Sequence, residues 1–160
     1  MLKSNVSYST DKDSFTAGKS CAEKAVVDLI ETKVAFVFSS VKYNQNKLLE
    51  GAKSVLGTAP IIGCTSSGAI IVPDGVVSSE SGFAGMLAIG DDETAVGVAS
   101  SERGKNPRET GKKVAKEAMA KVGTDKAPAY VYMIASPGEE EEYVKGIEDV
   151  VGCVPVFGGS

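Results

Sequence analysis

The sequence predicts an α/β fold made of internally duplicated strand–helix–strand–helix–strand units. An antiparallel β segment is added to the first copy, and the second copy is cut short. Three observations carry this. Residues 49–65, LEGAKSVLGTAPIIGCT, recur without a gap 95 positions later as VKGIEDVVGCVPVFGGS. Gly51/Gly146, Val55/Val150, Gly57/Gly152, Pro60/Pro155 and Gly63/Gly158 are identical, so one helix–turn–strand unit is used twice. Each copy also follows an unbroken apolar run, Val34-Ala35-Phe36-Val37-Phe38 or Tyr130 to Ala135, the mark of a strand covered on both faces. The reading is one domain over residues 1–160, with a first repeat over about 1–100 and an incomplete second over about 101–160.

Along the chain, Asn5 to Ser9 alternates Val and Tyr with polar residues and predicts a strand. Ala17 to Ile30 predicts a helix with Cys21, Ala25, Val26, Leu29 and Ile30 on its apolar face. The Val34–Phe38 strand follows, then a helix with Leu48, Leu49, Ala52, Val55 and Leu56 as its stripe. Gly57 ends that helix and Pro60-Ile61-Ile62-Gly63 is the next strand. Strands alternating with helices predict parallel pairing. Ser66-Ser67-Gly68 then reads as a turn and Ile70-Ile71-Val72 as a short extended piece. Phe83 to Ile89 and Thr94 to Ser100, flanking Gly90-Asp91-Asp92-Glu93, predict a β-hairpin.

The second copy starts with a helix at Asn106-Pro107-Arg108-Glu109, where Asn caps, Pro takes the first helical position and Glu completes a capping box. Its buried face is Val114, Ala115, Ala118, Met119 and Val122. After the Tyr130–Ala135 strand, Ser136-Pro137-Gly138-Glu139 predicts a second capping box, with Glu139 to Glu142 at the positive end of the helix dipole. No counterpart of Ser66 to Ser100, about 35 residues by the repeat alignment, follows Ser160. The expectation is a parent protein that continues with those strands.

Composition excludes several function classes. The net charge is −4 with a pI near 5.0 and no basic stripe, which argues against a nucleic-acid partner. The chain contains no histidine, which removes Ser-His-Asp and Cys-His catalysis and the commonest zinc ligand. Cys21, Cys64 and Cys153 form no close pair, so neither a disulfide framework nor a metal knuckle is predicted, and no cofactor is expected. The start, Met1-Leu2-Lys3-Ser4, lacks a signal peptide's apolar run, and no apolar stretch reaches membrane-span length. A cytoplasmic protein without membrane insertion is the expectation.

Open α/β sheets bind ligands beyond the carboxyl ends of their strands. Three segments fall there: Ser39-Ser40 with Tyr43; Gly63-Cys64-Thr65-Ser66-Ser67-Gly68; and Ser136 with Gly158-Gly159-Ser160. They supply hydroxyls, backbone N–H groups and little bulk, and a helix start behind Ser136 or Tyr43 favours a carboxylate. Simpler roles compete. Glycine at a strand end is ordinarily turn geometry, Ser40 and Ser136 are in position to cap helices, and Cys64 reads as a small buried side chain. Gly18-Lys19-Ser20 lacks the upstream glycine of a phosphate-binding loop.

With these segments in their order, Phe38-Ser39-Ser40, Leu48-Leu49-Glu50-Gly51, Ile62 to Gly68 and Phe157-Gly158-Gly159-Ser160, the chain resembles the FIST N-terminal domain of F-box and intracellular signal transduction proteins. The resemblance implies a sensory input domain for a small ligand, an amino acid or small carboxylate. It also implies a signalling output module or a C-terminal FIST domain as partner. One departure stands out: Ala69 occupies the position after the loop glycine where relatives often carry an acid. The leading expectation is therefore a non-enzymatic ligand-sensing domain. The alternatives are an enzyme using Cys64, and a structural module that forms a homodimer through the sheet edge at Phe157.

Overall fold

Three of the four helices begin one residue after a side chain that caps them. Asp13, Asn44 and Asn106 accept hydrogen bonds from the backbone N–H of Thr16, Lys47 and Glu109, each at the third helical position. The computed structural model describes residues 1–160, which form two compact units, Met1–Thr94 and Ala95–Ser160.

The first unit contains strands β1 (Lys3–Ser9), β2 (Thr32–Ser40), β3 (Ile61–Ser66), β4 (Ile70–Val72), β5 (Gly75–Val77) and β6 (Ala84–Gly90), with helices α1 (Ser14–Ala25) and α2 (Gln45–Leu56). Its main sheet has the order β1-β6-β2-β3. β2 and β3 run parallel, as the strand–helix–strand pattern predicts, whereas β6 is antiparallel to both of its neighbours. The sheet is thus mixed.

The core uses small residues. Ala17, Cys21, Ala22 and Ala25 of α1 meet Leu48 and Ala52 of α2 over Ala35 and Val37 of β2 and Ala84, Met86 and Ala88 of β6. Such residues let backbones approach closely. A Cβ on Gly18 would overlap the Leu48 carbonyl, and one on Gly51 would overlap the Phe15 carbonyl. The two glycines therefore face each other's helix at one crossing.

The second unit contains α3 (Pro107–Val122), β7 (Val131–Ile134), α4 (Glu140–Val151) and β8 (Val156–Gly159). β7 and β8 form a parallel two-stranded sheet. Gly111 abuts the Tyr143 carbonyl and Gly146 the Arg108 carbonyl, so the α3–α4 crossing uses the same reciprocal contacts as α1–α2. Arg108 adds a bidentate pair to Asp149 at 2.7 and 2.8 Å, and Lys112 lies 3.3 Å from the same carboxylate. The Arg108 hydrogen bonds, with Lys112 beside them, hold the Asp149 carboxyl down to about 2.

Several sequence expectations are corrected. The hairpin from Phe83 to Ser100 does not form. β6 lies between β1 and β2, so both its edges are taken, and residues 95–100 belong to the second unit. The turn after β6 is closed by Asp91, whose carboxylate accepts from the N–H groups of Glu93 and Thr94 and from the Thr94 hydroxyl. α1 stops at Ala25, short of Ile30. Asp28 takes a left-handed φ of 58°, which breaks the helix without the glycine that normally announces such a break, and Ile30 is exposed.

The helix caps also differ. Asn44 caps α2, while Glu139 precedes α4 and makes no capping bond, so neither Ser40 nor Ser136 caps a helix and Ser136 to Glu139 is no capping box. Asn106 caps α3 as expected, but Glu109 pairs with Lys112. Ile70–Val72 has a partner strand, β5, with Pro73-Asp74 at the turn.

Candidate functional site

The parallel register of β2 and β3 sets Ser39 beside Thr65 and Ser40 beside Ser66. The first two sequence-predicted segments therefore meet at one sheet end. The supposed loop from Gly63 is strand as far as Ser66. Gly63 is small because a Cβ there would overlap the Val37 carbonyl of β2, a strand-packing requirement rather than a turn.

Most polar groups of the β2 end are engaged internally. Ser39 is buried and donates its hydroxyl to Gln45 Oε1 at 2.8 Å. Gln45 Nε2 returns hydrogen bonds to the carbonyls of Ser40 and Tyr43, both at 3.0 Å. Ser40 Oγ accepts from the Lys42 N–H, and the buried Tyr43 donates its hydroxyl to the Asp11 carbonyl. Burial pushes the Tyr43 phenol up. Ser39, Ser40, Tyr43 and Gln45 together lock the β2–α2 connection. Across the register the groups are more open: Cys64, Thr65, Ser67 and Gly68 are exposed, and Ser66 donates to the Ala69 carbonyl at 2.7 Å.

In the second unit, Gly158 and Gly159 are likewise strand, in β8, with the Ala135 N–H donating to the Gly159 carbonyl at 3.0 Å. Ser136 is exposed just beyond β7. Ser160 hydrogen-bonds Glu140, whose carboxylate also accepts from the Gly138 N–H at 2.8 Å; both bonds hold the Glu140 carboxyl below the usual range.

Sequence reasoning missed a cleft of about 470 Å³ in the first unit, between β1 and the β4–β5 turn. Val6, Ser7 and Tyr8 form one wall, Val72, Pro73 and Asp74 another, and Lys24 of α1 also lines it. The β4–β5 hairpin stands over the sheet because Gly85 of β6 leaves room for the Ile70 side chain. The volume suits a small ligand. Lys24 and Asp74 bring one charge of each sign to its walls. The Pro73-Asp74-Gly75 turn is visible in the sequence, but nothing there links it to Lys24, 49 positions earlier (73 − 24 = 49).

The cysteines divide by environment. Cys21 is buried, and that burial pushes its thiol up to about 11, whereas Cys64 and Cys153 are exposed. The expectation of a buried Cys64 is corrected: it stands on β3 beyond Gly63, outside the helix-covered core. Native protein treated with iodoacetamide at neutral pH is expected to be alkylated at Cys64 and Cys153 but at Cys21 only after unfolding. Peptide mass mapping with and without urea checks this, and native labelling of Cys21 contradicts the packing described.

No three His, Cys, Asp or Glu side chains gather in an arrangement that could hold a metal ion. No helix is long and apolar enough to cross a membrane. The fold defines an α/β protein whose helices cover a mixed sheet in one unit and stand with a parallel strand pair in the other. The model of the FIST N domain matches residues 33–160, and the chain belongs to that family, a family of sensory signal-transduction domains. No curated protein matches the chain.

Proposed function

We propose that this chain is the cytoplasmic ligand-sensing part of a signal transduction protein, and that its ligand is a free amino acid or a close small-carboxylate analogue. The observation that carries the reading is the cleft lined by Lys24 and Asp74 together with Val6, Ser7, Tyr8, Val72 and Pro73. A lysine ammonium pairs with an α-carboxylate and an aspartate with an α-ammonium, while Val6, Val72 and Pro73 accept an aliphatic side chain. The acid that relatives often carry after the loop glycine is replaced here by Ala69, and Asp74 lies five positions further on (74 − 69 = 5) to take its part. The domain acts by binding rather than by catalysis, and ligand occupancy is passed to a signalling output module or a second FIST domain.

A thermal-shift screen over the common amino acids and small carboxylates tests this. A ligand at a hundredfold over its Kd stabilises by about 2.7 kcal/mol. The hit is expected to lose its shift in Lys24→Met and Asp74→Asn, both surface changes that leave the core intact. No hit in the screen, or a hit insensitive to both substitutions, overturns the assignment. The exposure of Cys64 keeps a cysteine-dependent activity as the second reading. Cys64→Ser is expected to leave the ligand shift unchanged; its loss would favour that second reading.

A further inference from the structure

The cleft in the first unit touches three consecutive residues of β1, Val6, Ser7 and Tyr8. Neighbouring side chains of a strand point to opposite faces. Ser7 faces α1, where its hydroxyl donates to the Cys21 carbonyl at 2.7 Å. A cleft that meets all three residues therefore looks onto the edge of the strand and not onto one face. β1 is an outer strand of its sheet, and every residue lining the cleft belongs to Met1–Thr94.

The register fixes which main-chain groups stand on that edge. The Ser40 N–H donates to the Phe83 carbonyl of the β6 side, and the Ala35 N–H to the Pro60 carbonyl of the β3 side. In an antiparallel pair, residues that exchange hydrogen bonds alternate with residues that do not. Phe38 and Phe36 thus bond to Gly85 and Leu87, which leaves Ala84, Met86 and Ala88 to bond to Ser9, Ser7 and Asn5 of β1. The N–H and C=O groups of Val6 and Tyr8 point the other way, out from the sheet. In keeping with that direction, Lys24 Nζ lies 3.5 Å from the Tyr8 carbonyl.

These groups match the main chain of an α-amino acid. A residue lying parallel to β1 alongside Ser7 donates its N–H to the Val6 carbonyl and accepts from the Tyr8 N–H. A free amino acid carries the same pair on one carbon, as ammonium and carboxylate, and each makes a charge-assisted hydrogen bond. Lys24, held at the Tyr8 end, orients the ligand because it attracts the carboxylate and repels the ammonium. Asp74 on the facing wall is the counter-charge for the ammonium, and Val6, Val72 and Pro73 supply apolar contact.

We infer that the edge of β1 is the specificity element of this site, and that its ligand is an aliphatic α-amino acid recognised through its own α-ammonium and α-carboxylate by the Val6 carbonyl, the Tyr8 N–H and Lys24. The inference rests on the cleft being the ligand site. It narrows that reading, since it rejects simple carboxylates, simple amines and amino acids whose two charged groups sit on different carbons.

Isothermal titration of the 160-residue protein with four probes tests it. They are leucine; 4-methylpentanoate, which lacks the ammonium; 3-methylbutylamine, which lacks the carboxylate; and β-homoleucine, which separates the two groups by one more carbon. Leucine is expected to bind, and each of the others roughly tenfold more weakly or worse, the scale of one lost hydrogen bond to a charged group. Tyr8→Pro deletes the outward N–H, at a place where an edge strand accepts proline. It is expected to bind leucine roughly tenfold more weakly than Tyr8→Ala, which loses the ring but keeps the N–H. Amide-exchange protection of β6 is expected to be retained in both variants; if Tyr8→Pro loses it, the four probes decide alone. Equal binding of 4-methylpentanoate or β-homoleucine, or equal affinity of two folded Tyr8 variants, overturns the inference and leaves the cleft as a ligand site. Binding of none of the four also overturns it, and the screen over the other amino acids then judges the cleft separately.

Discussion

Gly18→Ala is expected to destabilise the first unit by about 2 kcal/mol or more, although the same change in an ordinary helix interior stabilises by about 1 kcal/mol. The sign is the informative part. Gly18 lies within α1, where alanine has the better propensity, so a merely permissive glycine would give a gain. Here the added Cβ falls on the Leu48 carbonyl, with the Leu48 carbonyl carbon and the Ala52 N–H nitrogen behind it. Backbone cannot rotate aside as a long side chain can, so α1 and α2 must separate along their whole contact. That separation opens the packing around Leu48, among the most deeply buried side chains of the chain.

In a unit the size of Met1–Thr94, each kcal/mol lost lowers the melting temperature by about 4–8 °C. Urea denaturation of the two variants Gly18→Ala and Gly51→Ala, alone and together, measures it. The double variant is expected to cost less than the sum, since helices already parted for one methyl accommodate the other. A stabilised Gly18→Ala protein would show that the crossing is looser than described.

This crossing also shows how far the sequence could be read. Gly51 and Gly146 are visible as identical members of the repeat, and the echo of Gly18-Lys19 in Gly111-Lys112 is visible too. Their reason is not, because each glycine answers a carbonyl on a helix 30 to 38 residues away. Local signals served well: Asn106 and Pro107 place the start of α3, Gly57 places the end of α2, and apolar runs place β2 and β7. Long-range choices were hidden. β6 has the alternation of a hairpin arm, and the next alternating stretch was the natural partner. Its real neighbours are β1, some 80 residues earlier, and β2.

The strand-end segments show the same dependence on long-range pairing. Glycine and serine at Gly63 to Gly68 have loop composition, yet strand pairing with β2 takes them as far as Ser66, because Gly63 is what lets that pairing come so close. The hydroxyls of Ser39 and Ser40 are used to hold the β2–α2 connection, a use that depends on Gln45 and on burial. The cleft at Lys24 and Asp74 needs three elements together, and no spacing rule joins them.

Gly158→Val is expected to open the second unit, and Gly63→Val to weaken the first without opening it. The two glycines stand at matching places in their parallel pairs, one against the Met133 carbonyl and the other against the Val37 carbonyl, and a Cβ at either overlaps that oxygen. Two differences separate them. Gly158 has φ 133°, a conformation that adds about 1–3 kcal/mol of strain for a residue with a side chain, beyond the overlap. Its strand also pairs only with β7, and a two-stranded sheet is marginal by itself, whereas β2 keeps β6 on its other side when β3 is displaced.

Amide exchange separates the outcomes. Gly158→Val is expected to abolish protection over β7 and β8 and lower it over α3 and α4, while residues 1–94 keep theirs. Gly63→Val is expected to lose protection at β3 and to retain it at β1, β6 and β2. The order of the two effects is what the sheet topology demands. Equal losses, or a greater loss from Gly63→Val, would mean that β8 is held by something other than its pairing with β7.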